Sequence, residues 1–168
     1  AQRTILNIVN HLDRKKYSIS LLILKRTYDE SLSVLLKSDI HAEYINRRAR
    51  NAFFRLLMRF RYHKPDIIFS TLKYVNISTF IAWVLYRKKA KLIFRETNPI
   101  VRKNSWTNYI YKFVVSRVSK NIALSYGVKK DLIETFKVNA QKIEVIYNPI
   151  DTKYIINNSS NKNIKIKN

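Results

Sequence analysis

"DIIFSTLKYVNISTFIAWVLYRKKAKLIFRE", residues 66–96, carries the decision about the fold. Residues 66–71 are a short, β-branched apolar run bounded by Pro65, which predicts a buried strand. Residues 75–88 are too long for a strand and are almost continuously apolar. They predict a helix buried on all sides. Residues 91–96 return to the strand pattern. Strand, helix and strand in succession predict parallel strands with a helix laid across them.

The same alternation extends outward. Ile5, Leu6, Ile8, Val9 and Leu12 are spaced as the apolar face of a helix over residues 2–14, and "YSISLLIL" (17–24) predicts a strand. "DESLSVLLKSD" reads as a short helix or loop, and "HAEYI" (41–45) as a weak strand. A basic helix follows over 47–63, ended by Pro65. Beyond residue 96, a helix over 105–118 with Ser105 as N-cap, a strand at 121–125, a helix at 127–137 and a strand at 143–148 complete the series. After Asp151, "NNSSNKNIKIKN" has no core pattern and reads as a linker or tail. The expectation is an α/β domain, a Rossmann-like parallel sheet flanked by helices.

Composition narrows the function. The chain has 168 residues, 46% of them hydrophobic, which suffices for one domain with a core. It carries 33 Lys and Arg against 11 Asp and Glu, a net charge of +22. That excess calls for a polyanionic partner: nucleic acid, an anionic membrane or a phosphorylated ligand. Lys, Asn and Ile are abundant throughout, so part of the charge reflects composition at large. Cysteine is absent, so no disulfide framework exists. The longest apolar run is far too short to span a bilayer. Gly127 is the single glycine, which leaves no Gly-rich loop to cradle a dinucleotide or a nucleoside triphosphate. No cofactor is expected on this segment. His11, His41 and His63 lack metal-ligand spacing, and no metal site is expected.

Parallel sheets bind ligands at the C-terminal ends of their strands. There the chain places Thr71, Tyr74 and Asn76 after one strand, Arg95, Glu96 and Asn98 after the next, and Ser125 after a third. These side chains suit hydroxyls and phosphate. Ser, Thr and Asn also cap helices and make turns. An Arg and a Glu directly after a buried strand are not explained that way.

The basic helix poses a separate question. At about 100° per residue, Ala49, Ala52, Phe53, Leu56, Leu57 and Phe60 share a core face. Phe54, Met58 and Tyr62 form an outward stripe, flanked by Arg48, Arg55 and Arg59 on one side and by Arg50 and Arg61 on the other. An outward apolar stripe between arginines suits a bilayer interface, with arginines on lipid phosphates or on a carrier diphosphate. A solvated helix whose long side chains cover apolar surface is the plainer reading.

The opening "AQRTILNIVNHL" resembles the Gly-Gly-Ala-Glu-Arg start of family 4 glycosyltransferases. Ala1, Gln2 and Arg3 match the last three positions, with Gln in place of Glu. "KPDIIFSTLKYVN", "RETN", "ALSYGVKKDLIETF" and "KIEVIYNPID" resemble later landmarks of the same N-terminal domain, in order, over residues 1 to about 155. The resemblance implies the acceptor-binding, N-terminal half of a GT-B enzyme, truncated at the first strand. Residues 156–168 would then lead toward a missing donor-binding domain. It implies retaining, metal-independent transfer from a nucleotide-sugar donor to a glycan or polyprenyl-diphosphate-linked acceptor. Surface polysaccharide or lipid-linked oligosaccharide synthesis in bacteria follows, at the inner face of the cell membrane. The alternatives are a nucleic-acid-binding module, for which no zinc-finger or RNP pattern is present, and a non-catalytic phosphate- or sugar-binding α/β domain. The expected partners exclude nucleic acid.

Overall fold

The computed structural model describes residues 2–24, 36–87, 89–97 and 106–149. Helix α1 (Gln2–His11) is followed by strand β1 (Ser20–Ile23), strand β2 (His41–Tyr44), a 3-10 turn (Ala49–Asn51) and α2 (Phe53–His63). Then come β3 (Ile67–Thr71), α3 (Lys73–Leu85), β4 (Lys91–Glu96), α4 (Trp106–Val115), β5 (Lys120–Ala123), α5 (Tyr126–Glu134), a second 3-10 turn (Ala140–Lys142) and β6 (Ile143–Val145). Most of the segment around "DESLSVLLKSD", together with Asn98, Ser105, Asp151 and the tail, lies outside the described residues.

All strand pairs are parallel, as the alternation of elements requires. Among the described residues they form two sheets rather than one: β1–β2, and β3–β4–β5–β6 in that order. The edges of β1 and β3 face each other across an apolar cavity of about 220 Å³. Leu21, Leu22 and Leu24 line it on one side, Ile67 to Thr71 on the other, with Ile5 of α1 above.

Each step from β3 to β6 moves one place in the same direction, so right-handed crossovers put α3, α4 and α5 on one face of the sheet. α2 packs beside α3 on that face. The pleat then sorts the strand residues. Ile68 and Ser70, Leu92, Phe94 and Glu96, and Asn121 and Ala123 turn toward the helices and are buried. Leu56, Leu57 and Phe60 of α2, Phe80 and Trp83 of α3, Tyr111 and Val115 of α4 and Leu132 of α5 complete that core.

Two expectations change here. The basic helix does not start at residue 47. Arg48 is extended, residues 49–51 form the 3-10 turn, and the α-helix begins at Phe53. Arg48 and Arg50 therefore stand before the helix and do not flank its stripe as helix positions. The helix ends at His63, where Lys64 takes a left-handed conformation (φ 45°) and its N–H bonds the carbonyl of Phe60.

Nor is α3 buried all round. Its inner face holds the polar Asn76, Ser78 and Thr79 beside Phe80, Ala82 and Trp83, while Ile81, Val84 and Leu85 are exposed. Thr79 and Ser78 tolerate burial because each has a partner. Thr79 bonds Ser70 of β3 at 3.2 Å, and Ser78 donates to the carbonyl of Ala49. Apolar content alone could not tell which face of this helix was inside.

Candidate functional site

β3 and β4 pair in register from Ile67 opposite Lys91 to Thr71 opposite Arg95. Their C-terminal ends are therefore level. β4 stays in strand conformation through Glu96, so Arg95 and Glu96 leave it on opposite faces. The polar groups expected together at these strand ends divide into two networks, one on each side of the sheet.

On the helix side, Asn76 Nδ2 donates to Glu96 Oε1 at 2.8 Å and to the Tyr111 hydroxyl at 3.0 Å, and that hydroxyl donates to the same carboxylate oxygen. All three residues are buried. Lys73 Nζ lies nearby, donating to Thr107 Oγ1 at 3.1 Å and to Asn108 Oδ1. Burial pushes the Glu96 carboxyl above its ordinary value, against the hydrogen bonds of Tyr111 and Asn76 and the charge of Lys73. Burial and the adjacent Glu96 raise the Tyr111 phenol well above its own. Burial lowers Lys73, and the charge of Glu96 works the other way. Glu96 and Asn76 thus bond Tyr111 inside the helix–sheet interface.

On the other side, Arg95 Nη1 donates to Thr71 Oγ1 at 3.3 Å and Nη2 to Asn148 Oδ1 at 2.6 Å, while Thr71 Oγ1 donates to the Arg95 carbonyl at 3.2 Å. Burial lowers the Arg95 guanidinium from its ordinary value. These contacts tie the end of β4 to β3 and to the segment after β6.

The turn between β3 and α3 is strained. Leu72 has φ 77° and ψ 127°, a region that favours glycine, and strain of this kind collects at functional turns. It starts α3 so that Lys73 and Asn76 point inward while Tyr74 stays exposed. Tyr126 and Asn148 are also exposed at this end of the sheet. Ser125 caps α5, its hydroxyl accepting from the Val128 N–H at 3.2 Å. Of the sequence candidates, Thr71, Asn76, Arg95 and Glu96 enter the two networks, Tyr74 lies on the rim, Ser125 serves the cap and Asn98 is outside the described residues.

Sequence reasoning missed Tyr111 and Lys73's inward role. Tyr111 sits mid-helix in "NYIYKF", where nothing marks one tyrosine above the other. It also gave no sign that two of the histidines meet. His63 at the end of α2 and His41 at the start of β2 meet over Glu43, with Nε2 of each 2.8 and 3.2 Å from the same carboxylate oxygen. Arg59 pairs with the other oxygen at 2.5 Å. Burial opposes ionisation of Glu43, but the bonds of His63 and His41 and the charge of Arg59 hold its carboxyl below the ordinary value. Among the described residues, no group of three or more His, Cys, Asp or Glu has metal-holding geometry.

Phe54, Met58 and Tyr62 are exposed on α2, as the periodicity predicts. The arginines beside them are partly engaged. Arg59 holds Glu43, and Arg55 donates to the carbonyl of Ile45 at 3.2 Å. No helix among the described residues is long and apolar enough to cross a membrane.

The sequence profile of Glycosyltransferase Family 4 matches residues 1–154. No protein of curated function gives a significant match. Among solved structures, the chain is similar to Alr3699/HepE of Anabaena in complex with UDP. The TM-score is 0.68 at 17% identity, over 89% of this chain and 41% of that one. It is similar to a glycosyltransferase from Rickettsia africae ESF-5, with TM-score 0.66 at 19% identity, over 91% and 40%. HepE in complex with UDP-glucose gives 0.60 at 16%, over 80% and 45%. At such identities the likeness is one of fold. The chain spans about two fifths of the length of the solved proteins it matches.

Proposed function

Because the chain belongs to Glycosyltransferase Family 4, we propose that it is the acceptor-binding half of a retaining glycosyltransferase. In this reading the parent enzyme moves a sugar from a nucleotide-sugar donor to a lipid-linked or cell-surface glycan at the cytoplasmic face of the membrane. The observation that carries the reading is the level polar edge at the ends of β3, β4 and β5. There, exposed Tyr74 follows β3 and exposed Tyr126 follows β5, at strand ends whose backbone is fixed by the Thr71–Arg95–Asn148 and Asn76–Glu96–Tyr111 networks. Tyrosines at the rim of a sheet edge suit a sugar, stacking on its apolar face and bonding its hydroxyls. The buried networks act one step back, holding the strand ends at fixed height. HepE binds UDP and UDP-glucose, which supports a nucleotide-sugar donor for the parent of this chain. Donor contacts are assigned to the part of the parent beyond this domain.

Peripheral attachment is assigned to α2 and the turn before it: the outward Phe54, Met58 and Tyr62 enter the acyl boundary, and Arg48 and Arg50 before the helix and Arg61 on it reach lipid phosphate or a carrier diphosphate. The test is kinetic and uses the full-length enzyme with its lipid-linked acceptor. Tyr74→Ala and Tyr126→Ala should raise KM for the acceptor severalfold and leave KM for the donor unchanged. Unchanged acceptor kinetics in both variants would exclude this edge as the acceptor site.

A further inference from the structure

The outer face of α4 is not built for water. Its inner face buries Asn108, Tyr111, Val114 and Val115. Its outer face carries Trp106, Tyr109, Ile110 and Phe113, spaced i, i+3, i+4 and i+7, on an arc of about 100°. Trp106 and Tyr109 are 72% and 73% exposed. The stripe does not stop at the helix. The Phe113 ring meets Phe80 of α3 edge-on at 6.2 Å, and α3 itself exposes Ile81, Val84 and Leu85.

The charges on these two helices have one sign. Residues 73–87 and 106–119, which hold α3, α4 and the turns after them, contain Lys73, Arg87, Lys112 and Arg117 and no acid. Arg117 stands over the Phe113 ring, its guanidinium 3.5 Å from the centroid, and Lys112 is exposed on the same helix.

We infer that the α4 stripe and the exposed end of α3 form a second, deeper contact with an anionic bilayer. The occupant is lipid because an exposed aromatic helix face whose own charges are all cationic fits a surface of uniform negative charge. Trp and Tyr, apolar in body and polar at the tip, settle where headgroups meet acyl chains. The inference extends the peripheral location proposed above but acts through a different helix, so the two can fail separately.

The 168-residue chain holds two tryptophans, and only one is exposed: Trp83 is buried with its indole N–H on the carbonyl of Ala90 at 2.7 Å. Trp106 is therefore a reporter at the proposed contact. The chain should sediment with vesicles of mixed phosphatidylcholine and phosphatidylglycerol. Its Trp106 emission, isolated in Trp83→Phe, should shift to the blue and be quenched by acyl-brominated lipid. Should Trp83→Phe not fold, sedimentation of the double variant Trp106→Ser, Tyr109→Ser decides alone. Both side chains are exposed, so the fold is kept. This variant should bind roughly tenfold more weakly at high salt, where apolar burial dominates. Arg117→Gln should weaken binding only at low salt, by roughly fivefold. The Phe54→Ser, Met58→Ser variant of α2 separates the two helices, since the Trp106 shift should survive in it. Vesicle binding with unchanged Trp106 emission, or unchanged sedimentation of the Trp106/Tyr109 variant, overturns this inference and leaves the α2 reading standing. No sedimentation of the parent chain at any salt overturns both.

Discussion

Glu96 shows how much a single position depends on the pleat. One residue earlier in β4, Arg95 faces away from the helices, and Glu96 faces into them. Its raised pKa has a definite consequence. The group contributes most to stability below its ordinary value of 4.5, and that contribution is lost as pH rises through the higher folded value. Glu96→Gln removes this dependence. Thermal unfolding of the two proteins should favour the parent in acid, and the advantage should shrink or reverse toward neutral pH. A constant difference across pH would mean that the carboxyl titrates as it does in the unfolded chain. Tyr111→Phe should cost about 1–3 kcal/mol at neutral pH, because it takes a donor from a buried acceptor. Glu43 behaves in the opposite sense. Its lowered pKa contributes stability above 4.5 that is lost as pH falls through the folded value. Arg59 is about half exposed, so Arg59→Gln should cost about 1 kcal/mol or less in urea denaturation.

At the scale of elements, α2 and α3 divide their residues differently. α2 keeps its apolar core face and its outward stripe, both set by helical spacing. Leu57→Ala should destabilise by about 2–5 kcal/mol, as expected for a buried leucine. Phe54→Ser with Met58→Ser should leave the free energy of unfolding within about 0.5 kcal/mol of the parent, since both side chains are exposed. The same double variant should weaken vesicle binding at high salt without abolishing it, and unchanged high-salt sedimentation would remove α2 from the membrane contact. α3 has too many apolar residues for its pattern to select a face. Its inside was chosen by hydrogen bonds, Thr79 to Ser70 and Asn76 to Glu96, which only the strand positions supply.

For the molecule as a whole, length matters most. The chain covers about two fifths of the solved proteins it resembles. Transfer between two substrates needs groups on both sides of the reacting bond. We therefore expect the 168-residue chain by itself to release no nucleotide from any nucleotide sugar, while the full-length parent does. Turnover by the chain alone, measured as nucleotide release, would end the proposal that it supplies only the acceptor side.

Local pattern was enough for the order of strands and helices, for the parallel sheet, for the core face of α2 and for the strand β4, which spans residues 91–96 as expected. These follow from spacing and burial along short stretches. The resemblance to family 4 glycosyltransferases was equally legible, because ordered motifs survive in the sequence. Tertiary structure alone decided which groups meet. Tyr111 reaches Glu96 from 15 positions away, Arg95 reaches Asn148 across 53, and His63 joins His41 over Glu43. Such meetings depend on strand register and on the faces to which the pleat assigns neighbours, and neither quantity is written in any one segment. The exposed aromatic ridge on α4 belongs to the same class: the helix was expected, but which of its faces met the core was settled by the helices and strands packed beneath it.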